Sequence, residues 1–583
     1  MHAANFTDGI YLVDFEFHPV GGREGNPPLP VCMVVRGWPS GRTQRHWQAD
    51  LQRMATAPFP TGDKALCVAY FASAEMDCFH ALRWPLPIHV LDLFTEFRCL
   101  TNGLRLSNGS GLLGALLYFG LPSISGEEKD AMRDLILAGG PWSDSQQLAI
   151  LDYCETDVVA LAQLLSAMND EIDWPRALLR GRYMQAVSCM QRNGVPLDVE
   201  VLGLLKLKWG SIQDQLIAEI DGDYGVYDGR TFKTDRFEAY LMANDIPWPR
   251  LESGRLDMCD NTFRDMARSH PQIAPIRELR SALSEMRLAN LYVGDDGRNR
   301  CLLSPFRART GRNQPSNSKF IFGPSVWLRG LIRPRPGFGL AYVDWSQQEF
   351  GIAAALSGDP AMMAAYRSGD PYLAFAIQAG AVPAHATKKT HEAERDQFKA
   401  CVLAVQYGMG EASLSVRINQ PVARARQLLE LHRRTYRQFW KWSDSAVDET
   451  VLGERLWAGF GLQIHARNEL NDRSLRNFPM QANGAEMLRI ACIRVTEAGI
   501  RVCAPVHDAL LIEAPLEKLD QAIATTKSLM REASLIVLDD FELGSDVKEV
   551  RYPDRYMDKR GVVMWNKVMA LVGGPVLAGP APA

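Results

Sequence analysis

The chain has 583 residues, of which 47% are hydrophobic and 23% charged, with a formal net charge of −4. That length exceeds what one hydrophobic core organises and predicts two or more domains of ordinary globular composition. The near-neutral balance excludes a global basic field, so any nucleic-acid binding must come from the local field of a cleft. The 11 cysteines are scattered without CxxC pairs, which predicts a reduced chain with neither a disulfide framework nor structural zinc. Residues 1–10 lack a basic segment followed by an apolar core, and no apolar run reaches membrane-spanning length. The expectation is a cytoplasmic protein with no membrane contact.

Residues 9–17 read as a strand in which Asp14 and Glu16, two apart, turn their carboxylates to one side. Residues 31–35 and 65–69 read as further buried strands. A short acidic segment, Ala74-Glu75-Met76-Asp77-Cys78, follows. Helical periodicity covers 111–119 and 145–168, and in the second stretch Tyr153 and Asp157 stand one turn apart, facing together. Asp173-Trp174-Pro175 breaks that pattern and marks a domain boundary. The Asp-x-Glu and Tyr-x-x-x-Asp pair resembles the motifs of proofreading 3′–5′ exonucleases, which carry an RNase H-like fold. That resemblance implies an exonuclease domain over 1–172, acting on a single-stranded DNA 3′ end. Four carboxylates would hold two Mg²⁺ ions there, and Tyr153 would orient the attacking water. In such exonucleases the middle acid precedes a second Asp by a fixed interval. Counting back from Asp92 favours Glu75 as the middle ligand; Asp77 remains the alternative, as a solvated helix-start acid.

From 180 to 289 the pattern is mostly helical, with a turn at 193–196, and residues 307–336 are rich in Arg, Asn, Gly and Pro. The segment Tyr342-Val343-Asp344-Trp345-Ser346-Gln347-Gln348-Glu349 reads as a strand that delivers an acid and turns at once into a helix. Residues 360–450 are helical and basic. There Arg395, Lys399, Leu403 and Tyr407 lie on one slanted face, because steps of four drift by about 40° each. Arg and Lys so placed can hold a triphosphate, the first by its fork and the second as a point charge. A hairpin over 499–514 delivers His507 and Asp508, and the Gly/Pro/Ala tail 573–583 is expected to fray. Two aspartates on facing strands suit a two-metal site, since Mg²⁺ takes hard oxygen ligands and the pair clamps the attacking and leaving oxygens.

The order of these segments resembles the polymerase motifs of family A DNA polymerases, the bacterial DNA polymerase I type. The resemblance spans roughly 175–560. It implies an α/β multidomain protein with a right-hand polymerase domain over 173–583: thumb about 180–300, palm about 301–350 and 471–570, fingers about 351–470. Asp344, Asp508 and the Trp345 carbonyl match the metal ligands, for Mg²⁺ with Mn²⁺ as a substitute. Arg395 and Lys399 match triphosphate ligands, Tyr407 the ring beside the templating base, and Gln347 and Glu349 residues at the nucleotide. Glu349 in particular matches the acid that crowds the sugar 2′ position. Arg312, in Thr310-Gly311-Arg312, and His507 match residues at the primer end. Arg473, Asn477 and Gln481 match a helix that tracks the minor groove. Three departures stand out. Ala509 replaces the usual Glu, Leu403 occupies a position usually Phe or Tyr, and Tyr372 replaces a His at the nucleotide. The partners implied are primer-template DNA and dNTPs. The chain opens directly on the exonuclease motifs with no preceding 5′-nuclease segment, a layout expected of a bacteriophage replicative enzyme. The competing expectations are a single-subunit RNA polymerase, opposed by Glu349 and the exonuclease motifs, and a DNA-binding nuclease or scaffold with a decayed polymerase site, favoured by Ala509.

Overall fold

The structure is a computed structural model that describes residues 5–122, 126–284, 290–323, 326–406, 408–465 and 471–575. Its contacts form two compact units. The first takes the chain up to Gly194 with Leu302–Gln314 and Leu340–Glu549; the second takes Val195–Cys301, Pro315–Gly339 and the chain from Val550 on.

The first unit contains a five-stranded and a four-stranded sheet, besides a short two-stranded ribbon of Arg455–Trp457 with Gln463–His465. Strands β1 (Gly9–Pro19), β2 (Pro28–Trp38), β3 (Thr43–Trp47), β4 (Ala65–Ala69) and β5 (Val90–Asp92) form one sheet in the order β3-β2-β1-β4-β5. β1 pairs antiparallel with β2 and parallel with β4, and β4 runs parallel to β5. Both faces are covered, so β1 feeds two cores. Ile10 and Leu12 join Val34, Val68 and the helix Asp144–Met168 on one face. Val13 and Phe15 join Cys67 and Phe79 on the other. By the strand's period of two, Asp14 and Glu16 share the Leu12 face.

The helix Trp174–Asn193 begins with Pro175 in its first turn, where the missing N–H costs nothing. It packs on β5 and on the helix Ala72–Leu82. Gly181 makes this possible: a Cβ there would collide with the Val90 carbonyl. The same helix buries Tyr183, Ala186 and Val187 in the core under the second sheet. That sheet comprises β6 (Phe338–Trp345), β7 (Arg501–Val506), β8 (Ala509–Pro515) and β9 (Ser545–Arg551), in the order β7-β8-β6-β9. The expected hairpin is β7–β8, and its turn holds His507 in the left-handed region at φ 57°. The helices between β6 and β7 cluster around Phe375, Phe398 and Tyr436.

In the second unit, helix Val199–Asp221 packs against the helix Val562–Val572. Asp198, buried at its N-cap, accepts from Arg333 at 3.3 Å and Arg555 at 2.9 Å, tying three chain segments together. The compact units do not divide at the boundaries expected from sequence. The first runs unbroken through 172 to Gly194, and residues from Val550 on belong to the second. The tail beyond Pro575 lies outside the described residues, among which no helix is long and apolar enough to cross a membrane.

Candidate active sites

β1 carries Asp14 and Glu16 to the face covered by helix Asp144–Met168, and that helix supplies Asp157. One oxygen from each of the three carboxylates lies within 4.8 Å of the others. Burial raises the Asp14 carboxyl to about 8, with the charge of Asp157 adding to it. Burial and then Asp14 push Glu16 well above the usual carboxylate range. Glu75 is buried in helix Ala72–Leu82, and burial followed by the charges of Asp14 and Glu16 lifts it likewise. It accepts the Phe15 N–H, and its Oε2 is buried with no partner. Asp77, two residues on, turns to Arg192 at 3.4 Å. Of the two candidates, Glu75 is the one that feels the charges of Asp14 and Glu16, although it lies outside the close group those two form with Asp157. Asp92 is spent on structure: its carboxylate accepts from Phe71, Ala72 and Phe94 N–H groups.

Tyr153 is half-buried beside this cluster, and burial, then Asp157, push its phenol up. One residue here was not foreseen. Lys129, from helix Gly126–Ala138, places Nζ at 2.8 and 3.1 Å from the two Asp157 oxygens and 5.8 Å from the Tyr153 ring centre. Nothing in the spacing of that helix, which carries more acids than bases, marks such a residue. So many buried carboxylates cannot all ionise without compensating cations, and the all-oxygen donor set suits Mg²⁺ or Mn²⁺.

In the second sheet, β6 ends with Asp344 and the β7–β8 turn presents Asp508. The Trp345 N–H donates to the Asp508 carbonyl at 3.4 Å, which seats the turn against the end of β6. Asp344 is raised to about 8 by burial, then by the charge of Asp508 and a hydrogen bond to it, then by Asp546. Its Oδ1 is buried with no partner. A lone pair buried without a donor is what a divalent cation would occupy, so these residues fit the metal their pattern implies. The chain turns into helix Gln348–Ser357 through Gln347, in the left-handed region at φ 46°. One residue into that helix, Glu349 lies 3.5 Å from the Arg312 guanidinium. Arg312 follows Gly311, whose φ of 73° suits glycine and whose carbonyl accepts from buried Arg489 at 2.7 Å. That bond anchors the loop to helix Asp472–Glu497.

The helix Glu392–Gln406 presents Arg395 and Lys399, whose charged ends lie 5.5 and 5.7 Å from the Tyr372 ring centre. Arg395 also donates to Asp370 at 2.6 Å, and Lys399 is exposed. These three residues are thus brought together. Leu403 is half-buried on the same helix, and Tyr407 lies outside the described residues. On helix Asp472–Glu497, Arg473 is exposed while Asn477 and Gln481 are half-buried, a line of four-residue steps along one face. Gly408, at φ 61°, gives Arg473 room: a Cβ there would meet its side chain. His507 is exposed in its turn. Ala509, fully buried at the start of β8, offers no ligand. Asp546, which sequence reasoning passed over in an unremarkable polar strand, stands near Asp344.

Residues 286–548 match the sequence model of DNA polymerase family A. The chain is 26% identical over 401 residues to DNA polymerase I of Deinococcus radiodurans, covering 62% of this chain and 40% of that protein. It is 24% identical over 397 residues to the DNA polymerase of Mycobacterium phage D29, covering 66% of this chain and 65% of that one. It therefore spans less than two thirds of either relative. The fold resembles the POL domain of Pol1 from M. smegmatis, solved in complex with DNA primer-template and dNTP. The TM-score is 0.69 at 16% identity, over 94% of this chain and 96% of that one. The acid-bearing strand β6, the helix that presents Arg395 and Lys399, and the acid-bearing β7–β8 hairpin all lie within the matched segment. Residues 286–548 thus carry the sequence pattern of DNA polymerase family A.

Proposed function

We propose that this chain is a template-directed DNA polymerase that adds dNTPs to a primer 3′ end and proofreads with an N-terminal 3′–5′ exonuclease. The observation that carries the reading is the pair Asp344 and Asp508 at the junction of β6 and the β7–β8 turn, with Asp344 Oδ1 buried and unpartnered, inside a family A domain. Bound Mg²⁺, or Mn²⁺ in its place, would neutralise charge on the transferring phosphate. The chain's own residues do the rest. Arg395 and Lys399 bind and orient the triphosphate beside Tyr372. Glu349, fixed by Arg312, closes the space a 2′-hydroxyl would need. Arg473, Asn477 and Gln481 follow the duplex, and His507 and Arg312 the primer end. On this reading the second sheet is a palm, the helices between β6 and β7 are fingers, and helix Val199–Asp221 belongs to a thumb.

The exonuclease reading rests on Asp14, Glu16, Glu75 and Asp157, with Tyr153 orienting water at the single-stranded 3′ end. The sheet order β3-β2-β1-β4-β5 supports the RNase H-like assignment. The phage relative supports a role in phage genome replication, in the cytoplasm of a host bacterium. A second reading, a nuclease or scaffold with a decayed polymerase site, has Ala509 in its favour. Primer extension by the purified chain with dNTPs and with rNTPs decides. Extension with dNTPs alone supports the polymerase. No extension beside intact degradation of single strands supports the second reading.

A further inference from the structure

The polymerase reading leaves the site two carboxylates, Asp344 and Asp508, because Ala509 carries none. A third stands on a different strand. β6 and β9 are neighbours in the sheet. The Ser346 N–H donates to the Gly544 carbonyl at 2.9 Å, and the Tyr552 N–H donates to the Phe338 carbonyl at 3.2 Å. Both bonds fit one antiparallel register, advancing along one strand as they retreat along the other, and that register sets Asp344 opposite Asp546. Residues so paired lie about 5.5 Å apart at Cα with side chains on the same face of the sheet. The strand ends are clamped: the Tyr366 hydroxyl donates to the Ser346 carbonyl at 2.9 Å and accepts from the Gly544 N–H at 3.2 Å. The Ser346 hydroxyl donates to Asp546 Oδ2 at 2.8 Å, which fixes that exposed carboxylate beside the end of β6. The negative charge of Asp546 is felt at Asp344, where it adds to the effects of burial and Asp508. Like charges set directly opposite on paired strands repel. A cation between them turns that repulsion into attraction.

Resting on the polymerase reading above, we propose that Asp546 is the third carboxylate of the polymerase site and holds, with Asp344, the divalent cation bound there. It supplies from the neighbouring strand a charge that the position after Asp508 does not provide. Loss of Asp546 therefore weakens the cation and leaves the strand pair in place, since the strands are tied by backbone bonds and Tyr366.

The test is Mn²⁺ titration, followed by electron paramagnetic resonance, of the full chain bound to primer-template with a dideoxy-ended primer and a dNTP. D546N keeps the shape of the side chain and an acceptor for Ser346. It is expected to bind Mn²⁺ about tenfold more weakly, and its extension rate to recover as Mg²⁺ is raised. D546E should restore most of the affinity, and melting of D546N should match wild type. Mn²⁺ affinity of D546N within twofold of wild type, with D344N clearly weakened, overturns the inference and spares the polymerase reading. If the wild type fails to extend primers while D344N and D546N both weaken Mn²⁺, the activity falls and the ligand assignment stands. Mn²⁺ affinity unchanged in D344N overturns both.

Discussion

Asp344→Asn separates what the carboxylate does for catalysis from what it does to the fold. Burial and Asp508 raise the Asp344 carboxyl from 3.8 to about 8. For an acid raised on folding, the folded state binds the proton more tightly than the unfolded chain. Its stabilisation is complete below pH 3.8 and is lost as pH rises to about 8. Without solvent screening, that shift would correspond to roughly 6 kcal/mol at alkaline pH. Asp344 is only half-buried, so solvent screening leaves about 1–3 kcal/mol. Asparagine removes the charge and keeps the shape. In EDTA, D344N should melt about 1–5 °C above wild type at pH 8.5, the gap narrowing toward pH 5. The same variant should lose primer extension entirely, because on the proposed reading that carboxylate is also a ligand of the cation. Scanning calorimetry across pH 5–9, with and without Mg²⁺, is the assay. Melting of D344N at or below wild type at pH 8.5 would refute the electrostatic account, and extension within about tenfold of wild type would refute the metal-ligand role.

Asp14→Ala with Glu16→Ala should lower 3′–5′ degradation of single-stranded DNA by about two powers of ten and leave polymerisation intact, read by gel assays of both activities on one preparation. Glu75→Ala should lose nuclease activity and Asp77→Ala should keep it, because Asp77 serves Arg192; the reverse outcome would overturn the assignment of the middle ligand. Glu349→Ala should relax discrimination against ribonucleotides about tenfold, measured by competing rNTP against dNTP, and unchanged discrimination would place the gate elsewhere. Leu403→Tyr should reduce discrimination against dideoxynucleotides. A leucine offers no hydroxyl to replace the missing 3′-OH, a deficit of about 1–3 kcal/mol. Equal termination frequencies in competition of ddTTP with dTTP would show that Leu403 only packs its helix.

Local pattern made part of this molecule legible. Asp14 and Glu16 could be read because a strand's period puts alternate residues on one face, and that face proved to be the one under helix Asp144–Met168. Arg395 and Lys399 could be read because a helix's period does the same, and both ends converge on Tyr372. What stayed hidden is non-local. The order β3-β2-β1-β4-β5 depends on which strands meet after long connections, which periodicity does not encode. The spacing that pointed to Glu75 was counted from Asp92, an acid that turned out to cap backbone N–H groups rather than face the cluster. Lys129 reaches Asp157 from a helix 28 residues away, and Ser346 reaches Asp546 across 200.

Those hidden residues share a physical logic. Each proposed catalytic cluster gathers more negative charge than burial tolerates, and the partners that sequence did not reveal bear on that excess in opposite ways. At the exonuclease cluster the chain brings its own cation: Lys129 lies on Asp157 and lowers the cost of ionising Asp14 and Glu16. At the polymerase cluster Asp546 adds a further negative charge next to Asp344. Lys129 offsets only part of that charge, because Asp14, Glu16 and Glu75 all stay raised, and Asp344 is raised at the other cluster. If both clusters hold cations as proposed, Mg²⁺ should stabilise the fold through each, and the Mg²⁺-induced rise in melting temperature should shrink both in D344N and in a variant lacking Asp14 and Glu16; an undiminished rise in either variant would refute the metal role of that cluster.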